Sequence, residues 1–317
     1  MDIPIRGLHH VTATVNEAQP DLDFYAGLLG LRLVKKTVNF DHTGVYHFYY
    51  GDEEGRPGSL MTTFPYGGEG VPRGRIGAGQ ISVTSFSVPP GALDFWRGRL
   101  ADRKIPVERE GVRFEEGLLE VRDPSGLRIE LREGPGDPRD PWVASGIPPA
   151  AAVRGLHSVT LTLHRAGPSL AFLTGLLGMK EGERDGDRIR VLAGDGRPGA
   201  LLELEVDPEA PAGMNGLGTV HHVALEVDDG EAQRAVRAAL VAEGVQVTQV
   251  KDRQYFTSIY FRGPGGILYE VATRSPGFTQ DEALADLGTH LKLPGWEESN
   301  RRSIERKLTP VSLENVR

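Results

Sequence analysis

Short stretches of alternating apolar and polar residues recur along the chain, each followed by a run in which apolar residues return every third or fourth position. The alternation in "GLHHVTATV" (7–15), "QISVTSFSV" (80–88), "GLHSVTLTL" (155–163) and "VHHVALEV" (220–227) predicts strands with one buried face. The runs behind them carry Leu22, Tyr25 and Leu29, then Leu93, Trp96 and Leu100, then Leu170, Leu173 and Leu177, and more blandly Ala232, Val236 and Ala239. That spacing predicts four amphipathic helices. Pro20 and Pro168 suit a first helical turn, and Gly30, Gly178 and Gly244 suit a C-terminal stop. Strand-like stretches broken by Gly-Pro turns follow each helix, so the unit reads β-α-β-β-β, four times over. The expected class is α+β, with helices packed on mainly antiparallel, barrel-like sheets.

The units also repeat in pairs. "GLHHVTATVNEAQPDLDFYAGLLGL" at 7 returns as "GLHSVTLTLHRAGPSLAFLTGLLGM" at 155, "GRPGSL" at 55 as "GRPGAL" at 196, and "DPSGLRIEL" at 123 as "GPGGILYEV" at 263. The chain is therefore a duplication, and repeats of this kind define an architecture before any residue is assigned a task. The expected organisation is a first domain over 1–135, a second over 150–275 and a C-terminal extension over 276–317, with the Pro- and Gly-rich stretch 132–152 as the seam. The extension is polar, and "NRRSIERKL" reads as a short exposed helix that either caps the surface or acts as a lid over a neighbouring pocket.

Composition narrows the chemistry. The chain of 317 residues has no cysteine, which leaves His, Asp and Glu as the only strong metal ligands and removes thiolate catalysis. A formal net charge of −8 offers no footprint for nucleic acid. No apolar run approaches the roughly 18 residues of a membrane span, and "MDIPIRGLHH" lacks the marks of a signal peptide, so no membrane partner is expected and the cytoplasm is the default location.

Against that background the paired histidines carry the most information. Successive side chains on a strand point to opposite faces, so one histidine of each pair looks into a cavity and the other away from it. In the first strand His9, Val11, Ala13 and Val15 form an apolar row, and His10, Thr12 and Thr14 a polar one; in the last, His222 falls opposite the apolar row of His221, Val223, Leu225 and Val227. His10 and His222 are thus the cavity-facing members. The third unit keeps His157 but has Ser158 where His10 would stand, and the second unit has no histidine in its first strand. Glu270, between Tyr269 and Val271, is a carboxylate on a strand that should be buried, which a divalent ion would make tolerable. Two histidines and one carboxylate describe the facial ligand set of non-haem Fe(II), while zinc and manganese accept the same ligand types. Glu130 holds the repeat position of Glu270 without a histidine beside it and reads as a remnant. His47 reads as a partly buried strand residue, and His42, His164 and His290 as loop or surface residues. The glycine turns of "GRPGSL" and "PGG" do not open helices, so they make no phosphate cradle.

The repeated unit, together with "GLHHVT", "YHFYYGDEEGRPGSLMTTFP", "VHHVALEV", "GGILYEVA" and the tail "SPGFTQDE" and "LKLPGWEE", resembles the vicinal oxygen chelate superfamily, and within it the hydroquinone ring-cleaving dioxygenases. The resemblance implies two vicinal oxygen chelate domains, Fe(II) bound by His10, His222 and Glu270, and a small aromatic diol with O2 as substrates; a homo-oligomer is left open. It also implies that His9, Thr12, His221, Arg253 and Tyr260 surround the metal without binding it. Strand alternation agrees for Thr12 but turns His9 and His221 away unless their strands are bulged. The ligand set further requires the first unit to face the fourth. Two other functions fit the same fold: a glyoxalase-like isomerase or transferase, whose sites often carry a second glutamate, and a metal-free protein that binds aromatic molecules.

Overall fold

The computed structural model describes residues 5–143 and 146–314; the first four residues, two of the expected linker and the last three of the tail lie outside the described residues. Each unit folds as one strand, one helix and three strands. The first comprises β1 (Gly7–Val15), α1 (Ala18–Leu22), β2 (Arg32–Asn39), β3 (His42–Gly51) and β4 (Leu60–Pro65). The second comprises β5 (Gln80–Val88), α2 (Leu93–Asp102), β6 (Arg109–Arg113), β7 (Glu116–Arg122) and β8 (Arg128–Glu133). The third comprises β9 (Gly155–Leu163), α3 (Gly167–Ala171), β10 (Lys180–Asp185), β11 (Arg188–Leu192) and β12 (Leu201–Val206). The fourth comprises β13 (Thr219–Val227), α4 (Gly230–Ala242), β14 (Lys251–Asp252), β15 (Thr257–Arg262) and β16 (Leu268–Thr273).

Within a unit the first strand lies parallel to the last, because the helix carries the chain back over the sheet, and the remaining neighbours are antiparallel. The units then pair through their first strands, β1 antiparallel to β13 and β5 antiparallel to β9. Two curled eight-stranded sheets result, ordered β14-β15-β16-β13-β1-β4-β3-β2 and β10-β11-β12-β9-β5-β8-β7-β6. Each sheet takes one unit from each half of the duplication. The first unit therefore meets the fourth, and the sheets are mixed, with antiparallel neighbours in the majority.

The helices bury most of the residues that their spacing marked: Leu22, Tyr25, Leu29, Trp96, Leu100, Leu173, Leu177 and Val236 are closed off from solvent, while Leu170 and Ala232 are half-buried against the core. Two details differ. In α4 Leu240, not Ala239, completes the buried face, and Gln233 joins it by donating to the carbonyls of Thr257 and Val271 at 2.8 Å each. Helices α1 and α3 widen into π-turns, Asp23–Leu28 and Phe172–Leu176, in which Leu29 N–H reaches Phe24 O and Leu177 N–H reaches Phe172 O. Gly30 and Gly178 end these turns at φ of 71° and 68°, values that any side chain would strain.

The tail is held on the first sheet rather than free of it. Lys35 on β2 is fully buried and meets Asp281 at 2.7 Å and Glu282 at 2.6 Å, while Lys292 N–H donates to Lys36 O at 2.9 Å, covering the open edge of β2. The expected exposed helix is shorter, α5 (Arg301–Glu305), and is anchored through buried Ile304 and Leu308.

Candidate active site

Strands β16, β13 and β1 are neighbours, and each contributes one side chain to a common point on the concave face of the first sheet. His10 Nε2 lies 3.3 Å from His222 Nε2 and 3.4 Å from Glu270 Oε2, and His222 Nε2 lies 2.8 Å from the same oxygen. All three side chains are buried. Glu270 Oε1 accepts from Ser258 Oγ, but Oε2 accepts no hydrogen bond, a costly state for a carboxylate oxygen closed off from water. Ligand bonds of about 2.0–2.2 Å at right angles put donor atoms about 3 Å apart, so three acceptor atoms at these spacings fit one divalent ion. Among the described residues, His10, His222 and Glu270 form the one group of metal-competent side chains this close together.

The paired histidines depart from strict alternation. The β1–β13 ladder slips between Leu8 and His10 and again between Thr12 and Ala13, where it passes from His222 to Val220, so His9 and His221 are the extra residues of two bulges. The bulge brings His9 round to Phe256, which also packs on His10, and sets His9 Nδ1 2.9 Å from His10 Nδ1. His9 Nε2 lies 3.2 Å from Thr273 O. Burial lowers His9 to about 3, so the ring is neutral, and a carbonyl can only accept; Nε2 therefore carries the His9 proton and Nδ1 is an acceptor. His10 must then donate from Nδ1, which leaves its Nε2 lone pair aimed at the cluster. His221 Nδ1 stands 2.7 Å from His222 Nδ1 at the exposed rim.

A cavity of about 280 Å³ opens above the cluster. Tyr260, directly across from Glu270 in the ladder, accepts from Arg253 Nε at 3.0 Å, and Arg253 reaches Asp41 at 3.4 Å. Burial and the Glu270 carboxylate hold the Tyr260 phenol above its usual range, so it keeps its proton at neutral pH. Thr12 faces the cavity and contacts Thr62 Oγ1 at 2.8 Å, which in turn meets His47 Nε2 at 3.0 Å. Tyr49, Phe64 and Phe256 supply apolar walls, and Asn39, Phe40, Asp41 and Tyr66 the rim. No described residue of the tail lines the cavity, although Trp296 packs on Phe40 at 5.7 Å. Sequence reasoning left out His47, Thr62 and Ser258. The first and last were accessible, since alternation sets His47 beside Tyr49 on β3 and Ser258 beside Tyr260 on β15.

The second sheet shows what becomes of the equivalent place. Glu130 is fully buried and accepts from Arg113 Nη1 at 3.0 Å and Ser85 Oγ at 2.7 Å. Arg113 Nε also meets Glu203 at 2.9 Å, Arg132 joins Glu203 to Glu116, and His157 Nε2 lies 3.3 Å from Glu116. Burial would raise Glu130, yet Arg113 holds it down to about 2. Here guanidinium groups take the role that a metal would take on the other sheet.

The model of the Glyoxalase/Bleomycin resistance protein/Dioxygenase superfamily matches residues 7–131 and 155–271, the two repeats of the duplication. The chain belongs to this superfamily. Among its members, the Chlorohydroquinone/hydroquinone 1,2-dioxygenase of Sphingobium indicum is 39% identical over 303 residues, covering 92% of this chain and 93% of that protein. A Bacillus subtilis (strain 168) protein with the provisional name of ring-cleaving dioxygenase MhqO is 40% identical over 310 residues, covering 98% of both chains. The crystal structure of a provisionally named dioxygenase from Bacillus subtilis subsp. subtilis str. 168 superposes with a TM-score of 0.92 at 39% identity, covering 99% of both chains. Glyoxalase I from Zea mays shares the superfamily fold at a TM-score of 0.63 and 17% identity, over 90% of this chain and 97% of that one.

Proposed function

We propose that the protein is an Fe(II)-dependent dioxygenase that opens the ring of a small hydroquinone-like or catechol-like aromatic diol with O2. The observation that carries this reading is the convergence of His10 Nε2, His222 Nε2 and the unpartnered Glu270 Oε2, two imidazoles and one carboxylate on one face. Fe(II) held there supplies the redox chemistry that joins an aromatic hydroxyl compound to O2.

The chain's own residues do the rest. Tyr49, Phe64 and Phe256 hold a flat ring against apolar walls, and a cavity of about 280 Å³ has room for a small aromatic molecule. Tyr260 keeps a proton at Oη beside Arg253, whose guanidinium stabilises negative charge when that proton is given up. His9 and His221 hold the ligand imidazoles in the tautomer that frees Nε2. The glyoxalase-like alternative calls for a second carboxylate at the centre; among the described residues the cluster holds Glu270 alone.

The test is oxygen uptake by anaerobically Fe(II)-loaded protein on addition of methylhydroquinone, with catechol and the methylglyoxal–glutathione adduct as parallel substrates and His222→Ala as control. Uptake with a diol that disappears in the variant supports the dioxygenase. Turnover of the thiol adduct without oxygen uptake overturns it in favour of the isomerase.

A further inference from the structure

His47 is a half-buried imidazole in the cavity wall to which the chemistry above gives no task. In the sheet order β3 lies two strands beyond β1 and three beyond β13, roughly 10 and 15 Å along the sheet at about 4.8 Å per strand, and the curl carries that wall over the cavity to face the three-residue cluster. The ring is held between Tyr49 and Phe64 at centroid distances of 4.0 and 4.2 Å. Its Nε2 is committed to Thr62 Oγ1, which leans on Thr12 Oγ1. Its Nδ1 has no partner in the protein and is not sealed away from the cavity. Burial, with His10 adding to it, holds the imidazole well below its usual value and hence neutral. Whichever nitrogen bears the proton, the free one complements a phenolic hydroxyl, which both donates and accepts.

We propose that His47 is a specificity residue that recognises the second hydroxyl of a 1,4-diol whose first hydroxyl lies at the His10, His222 and Glu270 cluster. The inference rests on the aromatic-diol reading. In a 1,4-diol the second hydroxyl points away from the first, toward the β3 wall; in a 1,2-diol it points back toward the cluster and cannot reach His47. The residue therefore favours the former. The Thr62 and Thr12 hydroxyls fix the imidazole plane, so that recognition requires no rearrangement of the wall.

Anaerobic titration calorimetry of the Fe(II)-loaded protein with hydroquinone and with 4-methylphenol, which has a similar shape but lacks the second hydroxyl, tests this directly. The wild type should prefer hydroquinone by about 10-fold, the worth of one hydrogen bond in a dry pocket. His47→Leu should lose that preference by weakening hydroquinone alone, and His47→Gln should keep part of it. Equal losses for both probes, or a preference that survives in His47→Leu, overturn the assignment to His47 and leave the diol reading standing. A wild type that binds neither probe overturns both.

Discussion

His9 and His10 are consecutive on β1, yet their Nδ1 atoms lie 2.9 Å apart, and only the bulge at His9 permits it. His9→Leu removes the acceptor while keeping roughly the same bulk, leaving His10 free to rotate or to change tautomer. Metal affinity should fall about 10- to 100-fold with the fold intact, read by chelator competition and circular dichroism. Unchanged affinity would show that His10 needs no orienting partner.

Loading the centre should stabilise the protein. Anaerobic Fe(II) or Mn(II) at about a hundred times its dissociation constant adds roughly 2.7 kcal/mol to the folded state, seen as a rise in Tm. Glu270→Gln should abolish the rise. Glu130→Gln should retain it while lowering the starting Tm, because Arg113 loses a buried counter-charge. An equal loss of the rise in both variants would place metal binding outside the first sheet's cluster.

Asp21 gives the stability a pH dependence of its own. Tyr50 Oη and Thr63 Oγ1 each donate to Asp21 Oδ2 at 2.6 Å, and Oδ1 has no partner. Burial pushes the carboxyl up to about 8, against the lowering effect of these two bonds. Between about 4 and 8 the native state then holds a proton that the unfolded chain has released, so stability falls as pH rises through that window. Asp21→Asn should be the more stable protein at pH 8, by on the order of a few kcal/mol, with the advantage fading toward pH 4. Urea unfolding at three pH values measures it, and an advantage independent of pH would exclude the linkage.

Lys35 is wholly buried between Asp281 and Glu282. Lys35→Ala strands two carboxylates and should cost about 3–5 kcal/mol. The tail should detach before the sheets unfold, which limited proteolysis between 276 and 292 would reveal as early cleavage. Wild-type resistance to protease in the variant would mean that the β2 edge pairing alone holds the tail.

Legibility followed the regularity of the backbone. The period-2 pattern of β1 and β13 was enough to single out His10 and His222, and the apolar neighbours of Glu270 marked it as a buried carboxylate, because a ladder in register obeys alternation. The roles of His9 and His221 lay in the bulges, where one extra residue cancels alternation and no residue type announces it. The π-turns after α1 and α3 were equally silent: the spacing of Leu22, Tyr25 and Leu29 fits either helix. Glu130 read as a remnant, but the arginines around it come from β6, β8 and β11, strands whose mutual approach only the folded sheet defines.

The pairing of β1 with β13 also sets an order of events during synthesis. His10 and His222 are separated by 212 positions, so the first unit leaves the ribosome with the β1 edge unpaired and waits for the fourth. The second and third units adjoin in sequence and can close their own sheet in the interval. The nascent chain thus carries a closed, arginine-filled sheet before the other sheet is complete, and the cluster of His10, His222 and Glu270 lacks its third side until the last strand is in place.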